Sequence, residues 1–216
     1  MKKILVIGAS RGIGQAVCKA ALEANYTVRA MSRRPGTSSG ANANYEAVAG
    51  DALNRADVAS ALEGVDVVVQ ALGVPPSLEL ITGPITLFSQ ATEVLVPAME
   101  EENVEKLIAV TGFGAGDSNS RINVLQRLPF NLFLGKAYDD KSKQEALIER
   151  SNLDWLIVRP GVLTNRPASG QYRILREPRE WRNGIVSRAD VADYIVKAVA
   201  ADELGRQKPV IIQYPL

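Results

Sequence analysis

Ile4-Leu5-Val6-Ile7 runs directly into Gly8-Ala9-Ser10-Arg11-Gly12-Ile13-Gly14, and an amphipathic segment begins at Ile13. Four apolar residues without polar alternation predict a strand buried on both faces. Ile13, Ala16, Val17, Ala20, Ala21 and Ala24 then recur at helical spacing, with side chains small enough to lie close to a sheet. A strand, a glycine-rich turn and a helix together aim backbone N–H groups and the positive helix end at one point. That arrangement suits a phosphate or pyrophosphate. Its bland alternative is a tight strand–helix connection.

In dinucleotide folds that take NAD, an acid about twenty residues further on holds the ribose hydroxyls. Here that place reads Met31-Ser32-Arg33-Arg34. Two guanidinium groups suit a 2′-phosphate. The expected ligand is therefore NADP(H) in preference to NAD(H), with solvated loop arginines as the alternative.

Working outward, strand and helix signals alternate. Strands are expected at Lys3 to Ile7, Thr27 to Met31, Tyr45 to Ala49, Asp66 to Ala71, Lys106 to Val110, Trp155 to Val158 and Val210 to Ile212. Asn25 closes the first helix, and Arg33 to Asn44 is a loop rich in Gly, Ser, Pro and Asn. Asn54 caps a helix from about Arg55 to Leu62. Gly73-Val74-Pro75-Pro76 stops the fourth strand, and Pro84 opens a helix whose buried stripe is Ile85, Phe88, Ala91, Thr92, Leu95 and Met99. Pro97 inside that pattern should kink or shorten it. Residues 112–136 read as irregular, ahead of a helix from about Ala137 to Arg150. Residues 162–186 are loop-rich, with a short strand near Tyr172 to Leu175. Ser187-Arg188-Ala189-Asp190 is a capping box opening the last helix. No repeat of 20–50 residues is present.

This alternation predicts an α/β, Rossmann-like doubly wound parallel sheet in a single domain over 1–216, with substrate-side loops near 112–136 and 161–187. Ligands in such sheets bind beyond the C-terminal strand ends, at the switch in strand order. The candidate site is therefore Gly8 to Gly14, Ser32 to Arg34, Asp51-Ala52, Ala71 to Val74, Thr111 to Gly114 and Pro160 to Leu163.

The 216 residues carry a net charge of +1 with acids and bases interspersed, which argues against nucleic acid or an anionic membrane as partner. Ile4 to Ile7 is too short for a signal-peptide core, and no window approaches a membrane span. The single cysteine, Cys18, forms no internal disulfide and reads as a packed thiol on the first helix. A cytoplasmic location fits these features. The chain has no histidine, which removes Ser-His-Asp and Cys-His catalysis and most zinc sites, so no metal is expected. Proton transfer falls to Tyr, Lys, Asp, Glu, Ser, water or the substrate.

The spacing Gly-x-x-x-Gly-x-Gly at Gly8, Gly12 and Gly14 resembles that of short-chain dehydrogenases/reductases. Gly50-Asp51, Val110-Thr111-Gly112 and the run from Ser151 to Gly161 resemble the atypical, single-domain branch, the NmrA-like and biliverdin-IXβ (flavin) reductase group, and the resemblance spans nearly the whole chain. It implies that the backbone from Ser10 to Ile13 holds the pyrophosphate and that Arg33 and Arg34, with Arg11, grip the 2′-phosphate. It further implies that Asp51 and Ala52 flank the adenine and that Ala71, Leu72 and Gly73 line the adenosine ribose. Thr111 and Gly112 would lie under the nicotinamide ribose, and Pro160, Gly161 and Val162 against the carboxamide.

Two departures bear on the chemistry. No tyrosine has a lysine four residues later; Tyr138 and Lys141, like Tyr194 and Lys197, are three apart. Gln70-Ala71-Leu72-Gly73 replaces the Asn-Asn-Ala-Gly signature. The alcohol-dehydrogenase mechanism of the typical branch is thus unsupported, whereas hydride transfer to a stacked acceptor tolerates both changes.

The expected function is NADPH-dependent reduction of a small or planar acceptor such as a flavin, quinone or carbonyl compound. Thr111, Tyr138 and Lys141 are the candidate catalytic residues, with Lys141 also expected to reach the nicotinamide ribose; plain helix-surface residues are the alternative for Tyr138 and Lys141, and solvent is the expected proton source ahead of either. The alternatives are a non-catalytic NADP(H) sensor that binds another protein through 113–136, and a sugar-nucleotide epimerase or dehydratase, for which the C-terminal region leaves little room. The expected state is monomer or homodimer. Leu128 to Leu134 is a lid, a dimer contact or core. Asp139 is an acid in the first turn of its helix, Trp155 is core, Trp181 faces substrate or solvent, and Arg159 is structural.

Overall fold

Neighbouring residues of the first strand go to opposite sides of the sheet, which is why the run shows no polar alternation. Ile4 and Val6 enter one core, Leu5 and Ile7 the other, all almost fully buried. The same split recurs at Val67 and Val69 against Val68, at Ile108 and Val110 against Leu107 and Ala109, and at Leu156 and Val158 against Trp155 and Ile157. The computed structural model describes residues 1–35, 43–74, 85–121, 124–201 and 203–215, the side chains of 124–134 apart.

In chain order the elements are β1 (Lys3–Ile7), α1 (Gly12–Glu23), β2 (Thr27–Ser32), β3 (Tyr45–Ala49), α2 (Arg55–Leu62), β4 (Val67–Gln70), α3 (Leu87–Glu101), β5 (Lys106–Val110), a 3-10 turn (Gly116–Arg121), α4 (Val124–Arg150), β6 (Asp154–Pro160), β7 (Val162–Thr164), β8 (Arg173–Leu175), β9 (Gly184–Ser187), α5 (Arg188–Val199), β10 (Val210–Ile212) and β11 (Tyr214–Pro215). The main sheet runs β3-β2-β1-β4-β5-β6-β10-β8, parallel except for the last pair. Strand order reverses between β1 and β4. Helices α1 and α5 cover one face; α2, α3 and the end of α4 cover the other. This is the Rossmann-like α/β sheet that the alternation predicts.

The predicted caps hold. Asn54 accepts from the N–H groups of Ala56 and Asp57 at the start of α2. Asn25 takes a φ of 61° just beyond α1, where Tyr26 N–H bonds back to Ala21. Ser187 Oγ accepts from Asp190 N–H. Asp190 departs from a simple capping box, because its carboxylate takes the hydroxyls of Ser187 and Ser169 and the N–H groups of Ser169 and Gly170. Burial alone would raise that carboxyl; the bonds from Ser187, Gly170 and Ser169 hold it below the ordinary value. The last helix and the loop before β8 are thereby tied together.

Several expectations fail. The segment 112–136 is not irregular: after the 3-10 turn, α4 is helical from Val124, through Gly135. Local break signals such as Pro129 and Gly135 are only a weak prior against a helix. Asp139 consequently lies in the middle of α4, exposed, not in a first turn. Among the described residues α3 begins at Leu87, with Thr86 as N-cap, and Ile85 lies outside it, only partly buried; Pro84 and residues 36–42 and 75–76 lie outside the description. Pro97 does not shorten α3, since Leu95, Ala98 and Met99 are fully packed around it. The loop-rich span after β6 contributes β7 and β9 besides the expected short strand, β8, with β7, β9 and β11 forming a separate three-stranded sheet. The side chains of Leu128 to Leu134 lie outside the description.

Candidate functional site

The glycines of the turn have separable steric reasons. Gly8 takes a φ of 90°, and a Cβ on it would stand 2.6 Å from the Ala71 carbonyl oxygen; one on Gly14 would stand 2.2 Å from the Gly8 oxygen. The turn therefore lies flat on the end of β4 and α1 lies flat on the turn. Gly12, with a φ of 62°, has only Arg188 Nε within reach of a Cβ, at 3.9 Å. The first N–H groups of α1 have no intrahelical acceptor. The Arg11 side chain does not cap them, and the first turn contains no acid. Positive potential and open space thus meet at one point, and these residues fit a dinucleotide bridge.

The flanking strand ends converge there. Gly8 and Ala9 N–H both bond to the Met31 oxygen, so the bend carrying Arg33 and Arg34, both exposed, stands beside the turn. Gly50 N–H bonds to the Ser32 oxygen and brings in the end of β3. There Asp51 Oδ1 accepts from Leu53 N–H, and Ala52 is buried. Ala71 and Leu72 are half-buried and Gly73 is exposed, with Arg11 Nη2 3.4 Å from the Gly73 oxygen.

On the other side of β4, α4 presents Tyr138, Lys141 and Glu145 on one face, at i, i+3 and i+7. Lys141 Nζ donates to the Thr111 carbonyl at 2.5 Å and lies 4.9 Å from the Phe88 ring centroid and 5.7 Å from that of Tyr138. Burial lowers its pKa to about 8, against the opposing pull of the Glu145 carboxylate. The Tyr138 hydroxyl stands 2.6 Å from where a Cβ on Gly112 would be, so a side chain there would displace the phenol. Burial pushes that phenol up to about 12. Thr111 is buried, and its hydroxyl donates to Glu145 Oε1 at 2.6 Å; it meets Lys141 through its carbonyl. Pro160 bonds through its oxygen to Phe113 N–H, Gly161 lies against Gly184, and Val162 is half exposed.

Glu145 is a site residue that the sequence analysis missed, although its helical spacing from Lys141 was visible. It forms a buried ion pair with fully buried Arg159, at 2.6 and 3.0 Å, and Asp117 pairs with the same guanidinium. Trp181 stacks 4.8 Å from Arg159 and donates its indole N–H to the Leu175 oxygen. It is buried and does not face solvent, because it packs over the Arg159 guanidinium. Arg159 is structural, as expected. Asp140, one turn from the site, accepts from Phe88 N–H, Ser89 N–H and the Ser89 hydroxyl, and so caps α3. Gln70, in β4, joins Thr92 and Gln144 in a buried network behind Ala71.

A cleft of about 560 Å³ bordered by Met99, Glu105, Asp154 and Arg206 opens at the opposite, N-terminal ends of β5 and β6. There Asp154 accepts from Leu204 and Gly205 N–H, and Arg206 donates to the Asn152 and Leu153 oxygens. Asp154 and Arg206 are thus engaged by the neighbouring backbone.

The sequence from residue 8 to residue 202 matches the family model described as NAD(P)H-binding. The chain belongs to the NAD(P)H-binding family. It is 29% identical over 209 residues to an uncharacterised chloroplastic protein of Arabidopsis thaliana, covering 94% of this chain and 73% of that one. It is 24% identical over 204 residues to a Bacillus subtilis protein named as an uncharacterised sugar epimerase, YhfK, covering 91% and 87%. The structure of ChuY, described as an anaerobilin reductase from Escherichia coli O157:H7, superposes with a TM-score of 0.82 over 98% of this chain and 97% of that one, at 24% identity. The expected NAD(P)-binding, Rossmann-like architecture is met by the family match and these likenesses. Among the described residues of this NAD(P)H-binding chain, no helix is long and apolar enough to cross a membrane.

Proposed function

We propose that the chain is an NADPH-dependent reductase of a small or planar acceptor. The observation that carries this is the meeting of Tyr138, Lys141, Thr111 and Gly112 at the C-terminal end of β5, beside the open glycine turn. Ser10 to Gly14 would hold the dinucleotide bridge and Arg33 and Arg34 the 2′-phosphate, while Ser32, Asp51, Ala52, Ala71, Leu72 and Gly73 border the adenosine. Pro160, Gly161 and Val162 would border the nicotinamide.

A reduced nicotinamide bound there would supply a hydride from its C4, and the acceptor would take up one proton from solvent. The chain's own contribution is positioning and charge. Gly112 lets the Tyr138 phenol approach the backbone, and that phenol stays protonated at every physiological pH. Lys141, anchored on the Thr111 carbonyl, holds an ammonium below about pH 8 within reach of the same end of the sheet. Thr111 acts through its main chain, its hydroxyl being engaged by Glu145. The reductase description of ChuY supports this assignment.

The name of the Bacillus subtilis relative favours a second activity, sugar epimerisation, in which the nucleotide is regenerated each turnover. One experiment separates them: NADPH absorbance followed with flavin, quinone, carbonyl and anaerobilin acceptors. Stoichiometric oxidation faster than the enzyme-free control supports the reductase. Failure with every acceptor while NADPH still binds excludes it and leaves the epimerase and the NADP(H) sensor.

A further inference from the structure

Arg188 is the first residue of α5, and its Nε lies 3.9 Å from the position of a Cβ on Gly12, at the mouth of the glycine turn. Packing of α5 alongside α1 brings it there from 176 residues away in sequence. The guanidinium is held in place: Nη1 donates to Asn165 Oδ1 at 2.8 Å, and Asn165 follows directly on β7. That bond uses one of five N–H donors. Among the described residues Arg188 has no carboxylate partner, and the adjacent Asp190 is engaged by Ser187, Ser169 and Gly170.

A dinucleotide bridge carries two negative charges. The start of α1 offers N–H groups and the positive helix end, with no acid and no side-chain cap. Arg11 stands exposed on the β4 side, its Nη2 turned to the Gly73 oxygen, and Arg188 stands on the α5 side. We propose that Arg188, aligned by Asn165, is a second cationic contact for the pyrophosphate bridge. This rests on the nicotinamide-nucleotide assignment and adds a residue from the last helix to it. It also separates two kinds of arginine: Arg33 and Arg34 select the 2′-phosphate, whereas Arg188 holds what NADPH and NADH share.

The test is calorimetric titration of the native chain, Arg188→Gln, Asn165→Ala and Arg33→Ala/Arg34→Ala with NADPH and with NADH, alongside the thermal midpoint of each chain without nucleotide. Arg188→Gln should weaken both nucleotides by about tenfold, the loss of a charge-assisted bond, and leave their ratio unchanged. Asn165→Ala, on an exposed loop, should weaken both by about threefold; it decides the matter should Arg188→Gln fail to fold. Native affinity for both nucleotides in these variants, or a loss confined to NADPH, overturns the proposal. Absence of binding by the native chain instead overturns the nucleotide assignment itself.

Discussion

At the residue scale, what decides the role of each arginine is the company it keeps. Arg159 is fully buried, paired with Glu145 and Asp117 and covered by Trp181, so its charge is spent inside the protein. Arg33 and Arg34 are exposed on the bend beside the glycine turn. Replacing both by Ala should cost NADPH binding about 1.5–3 kcal/mol per charged hydrogen bond lost, with NADH binding nearly unchanged. Equal losses for the two nucleotides would refute a 2′-phosphate contact. Lys141 makes a pH prediction. Its pKa is lowered to about 8, so the ammonium is present below that pH and absent above it. The kcat/KM for NADPH oxidation should fall as pH rises through about 8, and Lys141→Met should remove that limb. Tyr138→Phe should keep it, since the phenol does not titrate in this range. A native profile flat from about pH 7 to about pH 9 would exclude Lys141 as the titrating group.

At the element scale, α4 both carries the site and holds its neighbour. Buried Asp140 accepts from two backbone N–H groups at the start of α3 and from Ser89. Asp140→Ala should lower stability by about 1–3 kcal/mol in urea unfolding, through loss of a cap and exposure of buried donors. A change under about 0.5 kcal/mol would mean that water replaces the carboxylate fully. The same element marks the border of what the sequence discloses. β1, its turn and α1 are legible because strand run, glycines and helical stripe are adjacent and local. The start of α4 is not, because Pro129 and Gly135 signal breaks in a segment whose backbone is nonetheless helical. β7, β9 and β11 are two to four residues long and exist through pairing. Tyr138 and Lys141 could be picked out by residue type. Glu145 and Arg188 could not, since their significance lies in which element each packs against. Arg188 sits inside a capping motif that explains its neighbours without explaining it.

At the scale of the whole molecule, the charge inventory sets the response to pH. With no histidine, unfolding free energy should be flat between about pH 5 and about pH 7. Asp190, Asp117 and Glu46 are each held below their ordinary values: burial pushes Asp190 and Asp117 up but hydrogen bonds and cations outweigh it, and Arg29 and Lys3 act on Glu46. A carboxyl depressed in the folded state contributes stability above its unfolded pKa and loses it as pH falls through the folded value. Stability should therefore be complete above the ordinary range of 3.8 to 4.5 and decline below it. Asp190→Asn should be less stable at neutral pH and lose less on acidification; an acid limb as steep as the native one would show that Asp190 does not contribute. The sheet itself accounts for where we propose that the ligand binds. Its order reverses between β1 and β4, and the parallel strands point their C-terminal ends at one crevice.

The central claim is that this crevice seats a phosphorylated nicotinamide nucleotide against the start of α1. Isothermal titration of the native chain with NADPH and NADH tests it most directly. The account predicts one saturable site per chain with NADPH bound more tightly; no uptake of either nucleotide, or tighter binding of NADH, would contradict it.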